Sequence, residues 1–80
     1  MDINILYRRI IKVLMESNKH EIVLDLENLI ASAATGSEIL FLTGKYLLDL
    51  CHNNPLVYQA IKELIEEYLK YCKLNGIIIK

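Results

Sequence analysis

The chain has no tryptophan, one proline, three glycines and two cysteines in 80 residues. So few backbone breakers leave no Pro/Gly-rich linker, and no internal repeat or low-complexity segment is present. Breaks of two or three residues leave no hinge for an independent second domain, so residues 1–80 are expected to form a single helical domain. Cys51 and Cys72 are too few for the disulfide framework of a small secreted scaffold. They read as free, buried thiols in a reducing compartment. The apolar stretch from Ile39 to Cys51 falls well short of the roughly 20 residues of a membrane span, and Thr43, Gly44, Lys45 and Asp49 interrupt it. Met1-Asp2 opens with an acid, without the basic start, unbroken apolar core or small-residue cleavage site of an export signal, which makes a cytoplasmic location the expectation. Charge of one sign is lacking as well. Nine Lys and Arg stand against ten Asp and Glu, a formal net charge of −1, so no field would gather polyanions and nucleic acid is disfavoured as a partner.

What the chain does have is apolar surface. Its 54% hydrophobic content exceeds the roughly 45–50% of an average domain, although so short a chain buries only about 60% of the surface its unfolded form exposes. Two explanations stay open. The surplus forms a buried interface with a partner or a second copy, or it forms a core of large Ile and Leu side chains in place of Ala and Gly.

Helical periodicity organises the rest. From Asp2, which can cap the first turn, to about Glu16, residues Ile3, Leu6, Tyr7, Ile10 and Leu14 recur on one face opposite Arg8, Lys12 and Glu16. After the Ser17-Asn18 break, a second helix from Lys19 turns Ile22, Leu26, Leu29, Ile30 and Ala33 inward and Glu21, Asp25, Asn28 and Ser32 outward. Thr35-Gly36-Ser37 is the next break, with Gly36 suited to a left-handed helix end and Ser37 to capping the next helix. From Ile39 to Cys51 apolar residues point nearly all the way round, so the third helix is expected to be central and enclosed by its neighbours. Asn53-Asn54-Pro55 marks the sharpest boundary, since Asn54 can accept from the first amides while Pro55 fills the first helical position. The fourth helix then faces Val57, Tyr58, Ile61, Leu64, Ile65, Tyr68 and Cys72 inward, ends at Gly76, and leaves Ile77-Ile78-Ile79-Lys80 as a β-prone tail. Short connections between four helices predict an all-α fold, a compact antiparallel four-helix bundle with a short extended C-terminal tail.

No constellation of catalytic or metal-ligating residues stands out. Cys51 and His52 are adjacent, but consecutive helical residues point about 100° apart and cannot face each other. Glu16, His20 and Glu21 have the spacing of carboxylate and histidine ligands, yet a di-iron site needs inward carboxylates on all four helices, and these acids lie on outer rows. No enzyme activity, cofactor or metal is therefore expected. Ser37 at a helix start invites comparison with acyl carrier proteins, but Gly36-Ser37-Glu38 lacks the Asp and Leu that flank their modified serine, and an N-cap accounts for it. Arg8, Arg9 and Lys12 form the basic cluster. The helix that would enter a DNA groove after the Thr35-Gly36-Ser37 corner is the apolar one, so DNA binding, like a carrier role, is a distant alternative.

Five tyrosines remain, at 7, 46, 58, 68 and 71. Tyrosine tolerates half-burial and is enriched at protein contacts. Tyr71 and Tyr68 with Ile77 to Ile79 are expected to make an exposed apolar patch, while Glu21, Asp25 and Glu27 against Lys19 leave the second helix acidic. The run Ala34-Thr35-Gly36-Ser37-Glu38-Ile39-Leu40 in a short helical chain resembles small all-helical immunity proteins with which bacteria neutralise their own toxins. The resemblance implies a small intracellular inhibitor that acts on a toxin or enzyme by steric block or charge matching, and it carries over no specific residue. On the residues themselves, the expected partner contacts are Glu21, Asp25, Asn28, Tyr71 and Ile78. The alternative is a structural or regulatory homodimer in which the fourth helix and the Ile77-Ile78-Ile79 tail pack on a twofold mate.

Overall fold

A computed structural model of the chain describes residues 3–79, and every regular element among them is a helix: α1 Ile3–Glu16, α2 His20–Ser32, α3 Gly36–Asn53 and α4 Pro55–Leu74. The expected Asp2 cap lies outside the described residues.

The helix ends follow from local chemistry. α1 stops because Asn18 takes a left-handed conformation (φ 58), which Asn tolerates better than other non-glycine residues. The amides of Asn18 and Lys19 then reach back to the carbonyls of Met15 (3.1 Å) and Leu14 (2.8 Å), the paired bonds of a Schellman motif. α4 ends in the same way at Gly76 (φ 78), with Gly76 bonded to Lys73 and Ile77 to Cys72. Between α3 and α4 a single residue suffices. The Asn54 amide donates to Leu50, its side chain accepts from Val57 at 3.4 Å, and Pro55 opens α4 as its sequence position predicts.

The α2–α3 turn departs from expectation. Gly36 is not a left-handed helix end but the first residue of α3, and the cap is Thr35, not Ser37. Thr35 is extended, and its hydroxyl accepts from the Glu38 amide at 3.1 Å while the Glu38 carboxylate accepts from the Ala34 amide at 3.3 Å. The register is the Thr-x-x-Glu of a capping box, with the Glu38 carboxylate taking the amide one residue before the cap in place of the cap's own. Ser37 has Leu40 at the matching position and cannot reciprocate.

The helices pack in a ring. α1 touches α2, α2 touches α3, α3 touches α4 and α4 returns to α1, with no close backbone approach across either diagonal among the described residues. One core fills the ring, drawing Leu6, Ile10 and Leu14 from α1, Ile22, Val23 and Leu26 from α2, Leu47 and Leu50 from α3, and Val57, Ile61, Ile65, Tyr68 and Cys72 from α4. The radius of gyration is 11.6 Å, matching the about 11.6 Å expected of an 80-residue globule. In a ring each helix has two neighbours, so the expected enclosure of α3 does not occur. Its buried stripe is Thr43, Gly44, Leu47 and Leu50, whereas Phe41 is 44% exposed, Leu42 and Leu48 are half-buried and Cys51 is exposed. The apolar residues all round α3 reflect a composition with too few polar side chains to cover its surface.

Two local features shape the faces. Gly44 is small because α4 and the chain end approach it closely: a Cβ there would collide with Ile79 and touch Leu69 and Cys72. Ile61 leaves helical geometry (φ −123, ψ 19) and kinks α4 with neither Pro nor Gly at the break.

Candidate functional site

The outward row of α2 is where sequence and structure agree most closely. Glu21, Asp25 and Asn28 are all exposed, and Glu27 joins them on the solvent side. Asp25 is also tied down. The Tyr46 hydroxyl of α3 donates to its carboxylate at 2.8 Å, across the α2–α3 contact. Burial, followed by this bond and the Asp25 charge, pushes the Tyr46 phenol up to about 12. The acidic row therefore includes one carboxylate held in a fixed position, which the periodicity of α2 alone did not reveal. The signal available was Tyr46 itself, a half-buried residue type on the neighbouring helix.

The other two expected contacts lie at the C-terminal end. Tyr71 is half-buried, and Ile78 is 66% exposed beyond α4. Leu74, 77% exposed, joins them, while Ile77 and Ile79 turn toward the core. Tyr68 does not join this patch. It is 2% exposed, a core residue from the centre of α4, and burial raises its phenol to about 12 with the Thr43 hydroxyl opposing the shift. The spacing that placed Tyr68 on the inner stripe overrode its use as a rim residue.

Interior polar groups form a second set: Tyr7, Tyr68 and Cys72 lie on the inward faces expected of them, and Thr43, expected as an interruption of the apolar α3, joins them. Thr43 is fully buried, and its hydroxyl sits near enough to Tyr68 to act on that phenol yet outside hydrogen-bonding geometry. The Tyr7 hydroxyl is likewise buried without a partner, its ionisation pushed up by burial and by the charge of Glu27. Cys72 completes the group, with its thiol donating to the Leu40 carbonyl at 3.6 Å and its ionisation raised by burial.

The remaining reactive side chains are dispersed. Both cysteines are free, but Cys51 is exposed, contrary to the expected burial, because the α3 stripe passes through Leu47 and Leu50 and leaves position 51 on the open side. His52 is exposed beside it. His20 lies 3.3 Å from the Met15 sulfur across the first turn, and Glu16 and Glu21 point to solvent. No three His, Cys, Asp or Glu side chains converge among the described residues. Arg8, Arg9 and Lys12 form an exposed basic strip on α1. Among the described residues no helix is long and apolar enough to cross a membrane.

An apolar cleft escaped the sequence reading. It opens between the end of α1 and the first turns of α4, lined by Val13, Leu14, Ser17, Lys19, Leu56, Val57, Ala60 and Ile61. Its one early sign was Leu56, an apolar residue directly after Pro55 that lies off the inward stripe and is 85% exposed.

These features define a small all-α protein with an exposed acidic row on one helix, one carboxylate of which is held by Tyr46, and exposed apolar side chains at its ends. Comparison with models of known families, with curated proteins and with solved structures finds no match to the chain.

Proposed function

We propose that this chain is a small intracellular protein-binding module of the inhibitor or immunity type, acting by steric and charge-complementary contact from an antiparallel four-helix frame. The frame is supported by the contacts of α4: its first turns share a cleft with the end of α1, while its last turns share one with Leu6 near the start of α1. Ile77 to Ile79 are read as an extended strap along α3 and α4, supported by the seat of Ile79 over Gly44. The observation that carries the functional reading is the exposed row Glu21, Asp25 and Asn28, with Asp25 fixed by Tyr46. A preset carboxylate lowers the ordering cost of association, and a local excess of acids selects a basic partner surface. The test is capture of a partner from the cell that makes the chain, followed by assay of that partner with and without purified chain. The reading expects a one-to-one complex that weakens as salt rises and a partner whose activity falls on binding. A partner whose activity is unchanged, or no stable partner at low salt, would contradict it.

A second reading, a homodimer, is favoured by Leu74 at 77% and Ile78 at 66% exposure on one end of the molecule. Replacing Ile78 by Asp should convert such a dimer to monomer in sedimentation, and a wild-type chain that stays monomeric at high concentration removes it.

A further inference from the structure

Two neighbouring helices of the ring carry opposite charge. On α1, Arg8, Arg9 and Lys12 stand against Glu16 alone, a balance of +2, whereas α2 holds Glu21, Asp25 and Glu27 without a Lys or Arg, a balance of −3. The two helices touch, yet among the described residues no ion pair joins them, and the pair that does form, Lys45–Asp49 at 3.1 Å, lies inside α3. The charges also divide by direction. Arg9 turns toward α4, where it lines a groove with Lys62, Glu63 and Glu67, and Asp25 turns toward α3 to meet Tyr46. The outward faces keep Arg8 and Lys12, one turn apart on α1, and Glu21 on α2, while Glu27 lies at the seam, close enough for its charge to act on the Tyr7 phenol of α1. Each row presents an aliphatic side chain as well: Ile5, 48% exposed, stands three residues before Arg8, and Leu24, 57% exposed, three after Glu21.

Such a face is complementary to itself. A twofold axis along the α1–α2 seam lays α1 of one copy over α2 of the other and repeats the match on the second side, so every contact of cation with acid occurs twice. Opposite potentials left unneutralised within a chain steer an association and set its register. In projection, two helices each about 20 Å long and about 10 Å wide offer roughly 400 Å² per copy, the size of a weak and transient contact.

We propose that two copies of this chain associate through the α1–α2 face, with Arg8 and Lys12 of one copy against Glu21 and Glu27 of the other and Ile5 and Leu24 beside them. The contact covers the acidic row, so self-association and docking of the basic partner proposed above exclude each other. It uses neither α4 nor Ile78, which separates it from the alternative dimer.

The experiment is sedimentation equilibrium of the full chain and its charge-inverted forms. The unaltered chain is expected to approach a dimer in about 0.01 M sodium chloride, with a dissociation constant at least roughly tenfold higher in about 1 M, where exposed charges are screened. Arg8→Glu with Lys12→Glu makes both helices acidic, and Glu21→Lys with Glu27→Lys makes both basic. Each of these chains alone should stay monomeric with its helical circular dichroism retained, and an equimolar mixture of the two should restore the dimer, because each helix then meets its opposite again. Ile78→Asp should leave the association of the otherwise unaltered chain unchanged. Should an inverted chain not fold, the neutral pair Arg8→Gln with Lys12→Gln decides, with an expected loss of roughly tenfold, the summed scale of four exposed ion pairs. The proposal is overturned by an unaltered chain that stays monomeric at millimolar concentration and low salt, by inverted chains that dimerise as well alone as mixed, by a mixture that stays monomeric, or by association that Ile78→Asp removes. No other protein enters the measurement, so its outcome is separate from that of the acidic-row reading.

Discussion

Asn18 does work usually given to glycine. Its positive φ ends α1 and directs the chain into α2 through the bonds to Met15 and Leu14, and a left-handed conformation costs a side-chain-bearing residue roughly 1 kcal/mol relative to glycine. Asn18→Gly should therefore leave stability equal or raise it by up to about 1 kcal/mol in urea unfolding, whereas Asn18→Val should lower it by more than about 1 kcal/mol. Thr35 is the second such residue. Thr35→Ala removes the acceptor for the Glu38 amide and should cost about 1 kcal/mol, with Ser37→Ala near neutral; equal effects at the two positions would contradict the assigned cap. Thr43 offers the opposite case. Its hydroxyl is buried and unsatisfied, so the near-isosteric Thr43→Val should be neutral or stabilising, and a loss above about 1 kcal/mol would reveal a hydrogen bond to Tyr68.

At the scale of elements, the tail and α3 are coupled through Gly44. Cys72 touches the same spot as Ile79, so removing residues 77–80 should leave the helices intact and uncover the Cys72 thiol. In the intact chain Cys51 should react quickly with an aromatic disulfide reagent and Cys72 only on unfolding, since Cys72 is buried and its thiolate disfavoured. After truncation both should react in the folded state. How these elements could be read beforehand varied with the physics behind each signal. Period-3.6 stripes on α1 and α4 placed Leu6, Ile10, Leu14, Val57, Ile61, Ile65, Tyr68 and Cys72 inside because one helix face there is unambiguous. Pro55 and Gly76 located the α4 ends because each residue type has one favoured role at a helix terminus. α3 was misjudged because periodicity fails when nearly every position is apolar, and the small and polar pair Thr43-Gly44 then marks the closest packing instead of the exposed face. Of the candidate contacts, the α2 row was legible from charge alone, while the Tyr46–Asp25 bond and the α1–α4 cleft required tertiary neighbours that spacing within one helix cannot supply.

For the whole molecule, alkaline pH is a direct probe of the packing. Tyr46 and Tyr68 ionise near 12 in the folded chain and near 10 when unfolded. Their contribution to stability is therefore complete below pH 10 and is lost as pH rises from 10 through 12, because the unfolded chain then releases the protons first. The melting temperature should fall across that window, and Tyr68→Phe should flatten the fall although it removes only one hydroxyl. A melting temperature constant from pH 9 to 12 would contradict the burial of these phenols. The functional account rests on the acidic face, and calorimetric titration of the captured partner with chains altered at Glu21 and Asn28 tests it most directly, since Asp25 also holds Tyr46 and its loss would perturb the fold. Glu21→Lys with Asn28→Lys should weaken binding at least tenfold, about 1.4 kcal/mol, with the fold unchanged and the difference shrinking at high salt; an affinity equal to that of the unaltered chain would show that the partner docks elsewhere.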